Sequence, residues 1–220
     1  IVAAGKRGMK VVAVDPRRVG IASQADILLQ VRPGTDGALA LASIDVVIKQ
    51  KLYDEAFVRQ WTNGSFLLRA DTGTPVIEAD LSQAGSNERF VAWDEYVNKP
   101  VIYDVATGRF AIEPAQLALL GERVDTSKDG GEILCRPVFA ALAELAAAYN
   151  PETCATITGV PAEKVRQAAQ LLAALVHEAE QQVLGGDELV LELLGFGSRG
   201  GEGVLQVLRR IDLARAADLG

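Results

Sequence analysis

The sequence has few of the residues that bind metals or cross-link a chain. Among 220 residues there are two cysteines, Cys135 and Cys154, and a single histidine, His177. The cysteines lie far apart and lack CxxC spacing, which excludes a structural zinc or iron–sulfur site built from neighbouring residues. We therefore expect both cysteines to be reduced and buried as small apolar side chains. Aromatic residues are also scarce, at 5%.

The sequence also lacks an excess of positive charge and any long apolar run. It carries 22 Lys and Arg against 29 Asp and Glu, a net charge of -7, whereas proteins that bind nucleic acids cluster cations against phosphates. Charges or glycines interrupt every apolar run before the roughly 18 residues that a membrane span needs. We expect no nucleic-acid partner and no membrane span.

The beginning of the chain lacks a methionine and the two regions of a signal peptide. Hydrophobic residues make up 49% of the chain and the mean hydropathy is +0.16. Together these features predict a piece of a longer protein, some of whose apolar faces pack on parts outside this sequence. The cellular compartment is left open.

An apolar run and a polar turn open the first sixty residues. Met9–Val14 is short and rich in β-branched residues, which predicts a strand of a parallel sheet covered by helices on both faces. Asp15 follows at its carboxyl end, Pro16 fixes a turn, and Arg17 and Arg18 come next. Ligands in open parallel sheets lie beyond the carboxyl ends of strands, so this segment is a candidate binding site.

A second run and turn follow at the spacing of a βαβ-like unit. Ile27–Val31 predicts another strand, and Arg32–Asp36 predicts a turn. A helix is predicted over Gly37–Leu52, with Thr35 or Asp36 as its N-cap. Considered singly, each of the two polar segments is typical of an ordinary turn or helix cap. Their joint occurrence favours a ligand site.

Four stretches carry a resemblance to a known family. VVAVDPRR is followed by VRPGTDGALALA, then by KLYDEAFVRQWTNGSFLLR, and later by YNPETCATITGVPAEKVRQAAQLLA. Over residues 1–173 the chain resembles the molybdopterin oxidoreductase family of the dimethyl sulfoxide reductase type. The resemblance implies an α/β fold, with part of a Rossmann-like parallel sheet, an inserted β-hairpin lobe and C-terminal helices.

The resemblance further implies a bis-molybdopterin guanine dinucleotide cofactor carrying molybdenum or tungsten. The implied cofactor-binding residues are Val14, Asp15, Pro16, Arg17, Arg18, Gly34, Thr35 and Asp36. A carboxylate such as Asp36 can accept two hydrogen bonds from guanine, a pair that adenine cannot donate. Asp15 is suited to accept hydrogen bonds from ribose hydroxyls, and the two arginines are suited to contact the diphosphate or the base. The ligand can approach the backbone amides of Gly34 and Thr35 closely, because glycine has no side chain.

No catalytic residue or metal ligand is expected within the chain. Neither cysteine matches a ligating motif, and the family's metal ligand and iron–sulfur cysteines are expected upstream of residue 1. The implied activity is that of a molybdenum-dependent oxidoreductase as part of a longer chain, with the fragment inactive alone. Its implied partners are the cofactor, the remaining domains of the enzyme and an electron-transfer subunit. The substrate and the oligomeric state are left open.

Four segments are predicted along the chain. They are the guanine-dinucleotide-binding portion 1–61, a β-rich insertion 62–136, a helical segment 137–175 and a divergent tail 176–220 with a glycine-rich hinge. The insertion alternates short apolar runs with Gly, Asp, Asn and Pro turns, which predicts hairpins. Trp61 and Trp93 are expected to pack in the core.

The tail departs from the family pattern and contains a competing motif. Gly195–Gly200 reads GxGxxG after an apolar run, which is the signature of a dinucleotide site, although the acidic residue expected about twenty positions later is missing. An NAD(P)-binding dehydrogenase fragment is therefore an alternative function, and a non-catalytic partner-binding module is another. The glycines are also typical of a hinge. The tail as a whole is also typical of a junction or of foreign sequence.

Overall fold

The structure is a computed structural model that describes the backbone of residues 8–185 and the side chains of residues 8–174. Helices and small sheets alternate in an α/β fold. The described strands are β1 (Val12–Val14), β2 (Ile27–Leu29), β3 (Leu67–Arg69), β4 (Arg89–Asp94), β5 (Lys99–Asp104), β6 (Arg109–Phe110), β7 (Arg123–Thr126) and β8 (Glu132–Pro137). The described α-helices are α1 (Asp36–Lys49), α2 (Glu55–Trp61), α3 (Glu78–Leu81), α4 (Val138–Ala148), α5 (Pro151–Thr158) and α6 (Ala162–Gly185).

The first two strands form a parallel pair. Val12 lies opposite Ile27 and Val14 opposite Leu29, and a 3₁₀ helix at Gly20–Gln24 occupies the connection. Parallel strands cannot be joined by a tight turn, so a crossover of this kind is required. The two predicted strands and their parallel pairing are confirmed, with narrower bounds than the apolar runs suggested.

A hydrophobic core joins the parallel pair to helices from distant parts of the chain. It contains side chains of β2, α1, α5 and α6 and of the segments beside them, with Val12 and Ile27 packed against it. Its buried members are Leu29, Val31, Leu39, Ala42, Cys154, Val160, Val165 and Ala168. Because residues more than a hundred positions apart share this core, the start of α1 is held by α5 and α6.

Residues 62–136 contain the two other described sheets, and both are antiparallel. One has the strand order β3-β8-β7 and the other the order β4-β5-β6. The predicted hairpins are therefore present, and Gly73 and Gly108 have positive φ in their turns. Trp93 is buried in the core of this lobe with Cys135. The described part of the chain thus holds one parallel pair rather than an extended parallel sheet.

One prediction about the core is wrong. Trp61, at the end of α2, is 72% exposed, because this short helix buries none of its residues. The later helices agree with their sequence signals. Pro151 is the first residue of α5, and Gly159 ends that helix in the left-handed conformation with a φ of 81°. Within the described part of the chain, no helix has both the length and the apolar content to cross a bilayer.

Candidate functional site

The first polar segment is a turn built on the carboxylate of Asp15. The Asp15 amide donates to the Leu29 carbonyl at 3.3 Å. Hydrogen bonding to β2 therefore continues for one residue past the end of β1. An Asp15 carboxylate oxygen, Oδ1, accepts the Arg17 amide at 2.6 Å. Asp15 therefore has the turn-forming role that is common for Asp before Pro, and its other carboxylate oxygen accepts no hydrogen bond from residues 8–174.

The second polar segment is a tight turn that leads into α1. The Thr35 amide donates to the Arg32 carbonyl at 3.2 Å, with Pro33 and Gly34 between them. Gly34 has a φ of +82°, the conformation that the third residue of a type II turn requires. A Cβ built on Gly34 would have no neighbour within 4 Å, so the surrounding space is open to a ligand.

Helix α1 begins without the side-chain cap that the sequence predicted. Thr35 occupies the N-cap position, but neither its side chain nor that of Asp36 caps the helix. The Thr35 hydroxyl instead donates to the Arg32 carbonyl at 2.7 Å. Asp36 is the first helical residue and is exposed. Its carboxylate accepts no hydrogen bond from any residue within 8–174.

The two segments lie at the same edge of the parallel pair. β1 and β2 run in the same direction, so the residues after Val14 and those after Leu29 leave the sheet on one side. Gln30 joins them, because its side-chain amide donates to the Pro16 carbonyl at 3.0 Å. The VDPRR and RPGTD segments that the sequence singled out thus follow neighbouring parallel strands at the same edge, and Gln30, just before the second segment, contacts the first.

The charged side chains at the two edges of the parallel pair differ in whether they contact other residues of the protein. The Arg17 and Arg18 side chains are exposed and have no ion-pair or hydrogen-bond partner among the residues whose side chains are described. Asp26, beside the amino end of β2, is engaged: its carboxylate accepts the Val11 amide at 2.9 Å and pairs with Lys10 at 3.0 Å. These contacts, the Val11 bond first, lower the pKa of Asp26.

Of the eight predicted residues, six are exposed and two are half-buried. Asp15 and Thr35 are the half-buried ones. The exposed ones are Val14, Pro16, Arg17, Arg18, Gly34 and Asp36. They form a surface edge rather than an enclosed pocket within the described residues, which suits the end of a large ligand more than a small buried substrate.

Sequence reasoning missed Gln30 and Arg32, which hold the turns in place. The Gln30 contact described above joins the two segments, and the Arg32 side chain bonds the end of α5 at Thr156 and Ile157. No local pattern indicates the Gln30 contact. One signal pointed to the second: Pro161 removes an amide that would otherwise bond a carbonyl near the end of α5.

Both cysteines are buried in the structure and form no disulfide bond. Cys135 and Cys154 are unpaired and buried, as predicted, and burial raises the pKa of the Cys135 thiol to about 11. Among the residues that the structure describes, no group of three or more His, Cys, Asp and Glu side chains is arranged to hold a metal. The motif at Gly195–Gly200 lies outside the described residues.

Known proteins resemble the chain over most of its length, although no family profile matches it. The perchlorate reductase alpha subunit of Dechloromonas aromatica is 35% identical over 190 residues, covering 74% of this chain and 20% of that protein. A putative catalytic subunit of dimethyl sulfoxide reductase from Halobacterium salinarum is 32% identical over 173 residues, covering 79% and 19%. The solved structure of acetylene hydratase from Pelobacter acetylenicus is 26% identical, with a TM-score of 0.42 and coverage of 77% and 13%.

The two curated relatives are similar to this chain at the level expected between members of one family. The chain spans about a fifth of their length. Its most specific sequence features, VDPRR and RPGTD, lie together at one edge of the parallel pair. The chain belongs to the molybdopterin oxidoreductase family of the dimethyl sulfoxide reductase type.

Proposed function

We propose that this chain is part of a molybdenum-dependent oxidoreductase and binds the guanosine end of its molybdopterin guanine dinucleotide cofactor. One observation carries the proposal. Two polar turns follow the carboxyl ends of paired parallel strands, and Gln30 before the second turn bonds Pro16 in the first. The turns present an acidic and two basic side chains, Asp36, Arg17 and Arg18, that have no side-chain partner within residues 8–174. Ligands of α/β proteins bind at such an edge.

Asp36 is the proposed reader of guanine. Its carboxylate is exposed at the start of α1 and is free to accept the N1–H and the exocyclic amine of guanine through its two oxygens. Adenine offers no such pair of donors, so the contact selects the base. The positive end of the α1 dipole stabilises a charged carboxylate at this position.

The remaining predicted residues suit the rest of the nucleotide. Arg17 and Arg18 provide positive charge for the diphosphate or a flat surface for the base. The free oxygen of Asp15 can accept a ribose hydroxyl. Gly34 allows a ligand to approach the backbone at the turn, because the space where its Cβ would lie is open.

In this proposal the parallel pair belongs to a Rossmann-like sheet. The guanine-dinucleotide-binding portion is 1–61, the β-rich insertion is 62–136, the helical segment is 137–175 and the divergent tail is 176–220. The molybdenum and pterin supply the oxygen-atom or hydride-level redox chemistry, while the residues of this chain bind and orient the cofactor. The iron–sulfur cluster and the metal ligand are assigned to other parts of the enzyme. An electron-transfer subunit is the proposed partner, in keeping with the name of the perchlorate reductase relative as an alpha subunit.

Titration of the chain with guanosine diphosphate and adenosine diphosphate tests the proposal. We expect guanosine diphosphate to bind about 5- to 150-fold more tightly, since a good bidentate base contact contributes about 1–3 kcal/mol of discrimination. Asp36→Ala should remove the preference. Asp129→Ala, an exposed acid in the lobe, is the matched control and should retain it. Equal affinity of the unaltered chain for both nucleotides would overturn the assignment.

A further inference from the structure

The last turn of α5 leaves three backbone carbonyls without the usual helical donors. Only the Ala155 carbonyl accepts the amide four residues on, from Gly159 at 3.0 Å. The Val160 amide donates to the Thr158 hydroxyl at 3.0 Å instead, so Thr156 loses its donor. Ile157 loses its donor because residue 161 is proline, which has no N–H. Such orphan carbonyls need partners from elsewhere.

Arg32 supplies all three missing donors. Its Nη1 atom donates to the Thr156 carbonyl at 3.0 Å and to the Ile157 carbonyl at 3.1 Å. Its backbone amide donates to the Thr158 carbonyl at 2.9 Å. A cation is favourable at this end of a helix because the helix dipole is negative there. One residue therefore holds the end of α5 through both its main chain and its side chain.

The same residue begins the turn that carries Asp36. The Arg32 carbonyl accepts both the amide and the hydroxyl of Thr35, and Pro33 and Gly34 between them are exposed. The start of this turn is thus anchored to α5. Gly159, which ends α5 with a φ of +81°, lies beside the anchor, since an ideal Cβ there would be in ordinary van der Waals contact with Arg32 Nε at 3.5 Å.

We propose that Arg32 is a positioning residue for nucleotide recognition: its bonds to α5 hold the 33–36 turn so that Asp36 meets guanine in the right place. This inference rests on the proposed function of Asp36. The Nη1 atom of Arg32 bonds the two α5 carbonyls, and the proposed role requires no contact between Arg32 and the nucleotide. Its effect on binding therefore passes through Asp36.

A double-mutant cycle in the 220-residue chain tests this coupling. We expect Arg32→Ala to weaken guanosine diphosphate binding by roughly threefold or more and to lower the preference over adenosine diphosphate. In an Asp36→Ala background the same change should have no further effect. Arg32→Lys retains the charge and a donor and should restore part of the preference. Arg109→Ala, in the lobe, is the control, and neither nucleotide's affinity should change.

Hydrogen exchange of the Thr35 amide gives a second readout that needs no nucleotide. We expect this amide to exchange several-fold faster in Arg32→Ala than in the unaltered chain, with Arg32→Lys between them. Unchanged exchange, or an unchanged nucleotide preference in a folded Arg32→Ala chain, would overturn the positioning role. A lack of preference in the unaltered chain would instead contradict the proposed function, and the exchange rates would still decide whether Arg32 holds the turn.

Discussion

The lobe at 62–136 and the strand-end edge at 12–36 use their charged residues differently. In the lobe, Arg89 bonds Asp104 at 2.9 Å and Glu78 at 3.3 Å. At the strand-end edge, Arg17 and Asp36 have no side-chain partner among the described residues. The Arg89 charge in the lobe is thus neutralised by neighbouring acids, whereas Arg17 and Asp36 have no ion pair within residues 8–174. Under the proposed function, charge pairing rather than the number of charges separates the structural surface around Arg89 from the proposed binding surface at the strand ends.

The pKa values of the lobe follow from this pairing. Hydrogen bonds from Arg69 lower the pKa of Asp71 to about 2, and Arg89 lowers that of Asp104. Conversely, the acids raise the pKa of Arg89, with the Asp104 contact as the largest cause. These carboxylates are held in the charged form by their partners, so their main role is to fasten turns and strands of the lobe.

The largest expected effect comes from truncating one buried core residue in each of the two regions. Leu39 is buried in the first turn of α1 and Leu67 in the lobe. Truncating either residue to alanine should lower the free energy of unfolding by about 2–5 kcal/mol, because each leaves a cavity, as measured by urea denaturation. Only Leu39→Ala should also weaken guanosine diphosphate binding, since it loosens the helix that carries Asp36.

The distinction between the strand-end edge and the lobe would fail if Leu67→Ala changed the ratio of guanosine diphosphate affinity to adenosine diphosphate affinity. That ratio must be measured at low urea, where both variants are folded according to circular dichroism. A loss of total binding with an unchanged ratio would reflect unfolded protein and not an altered site.

Two glycines give a smaller and better matched contrast. Gly34 at the strand-end edge and Gly73 in a lobe turn have φ values of +82° and +68°, and a Cβ on either would have no neighbour within 4 Å. Alanine at either position should therefore cost a similar roughly 1–2 kcal/mol of backbone strain, seen in urea denaturation. Nucleotide titration should separate them, because only Gly34→Ala places a methyl group where the nucleotide approaches. Equal loss of binding by both variants would remove this distinction.

The arginines test the comparison through charge alone. Replacing Arg17 and Arg18 together by glutamine should weaken guanosine diphosphate binding and reduce its dependence on salt, with no change in the melting temperature. Arg89→Gln should lower the melting temperature, since it breaks two ion pairs of the lobe. It should leave guanosine diphosphate binding unchanged, because Arg89 makes no proposed ligand contact. A lower melting temperature for the Arg17 and Arg18 variant would show that the protein uses these side chains itself.

Local patterns were sufficient to predict the elements that carry the site. The apolar runs indicated β1 and β2, and Pro151 and Gly159 marked both ends of α5 because each residue has a distinct backbone preference. The family resemblance selected Asp15 and Asp36, and the structure lays their segments at one edge. Their binding role stays a prediction, since none of the observations tests it.

Long-range contacts could not be predicted in this way. The Arg32 side chain bonds a carbonyl 124 positions away, and no periodicity in the sequence connects the two. Trp61 illustrates the same limit. Large aromatic residues are usually buried, but burial depends on which element packs against a helix, and α2 has no buried residue in the part of the chain that the structure describes. The predicted side-chain cap at Thr35 is not formed, because the first amides of α1, those of Ala38 and Leu39, donate to the Thr35 backbone carbonyl instead.

The smallest expected effect is a pH dependence confined to the lobe. Both oxygens of Asp71 accept hydrogen bonds from Arg69, at 3.0 and 2.9 Å, which lowers its pKa from 3.8 to about 2. A carboxyl whose pKa is lower in the folded state stabilises the protein above its unfolded pKa, and this stabilisation is lost as the pH falls from about 4 toward 2.

Asp71→Asn removes the titrating group and should abolish that part of the pH dependence. The difference in urea midpoint between the unaltered chain and the variant should be constant above about pH 5 and shrink as the pH is lowered to about 2.5. Since other carboxylates titrate equally in both proteins, the difference isolates Asp71. Guanosine diphosphate affinity at neutral pH should be the same in both, because this pair belongs to the lobe. A difference that stayed constant throughout this acid range would mean that the Arg69 pair does not hold Asp71 in its charged form, and the lobe's charges would then resemble the unpaired ones at the strand ends.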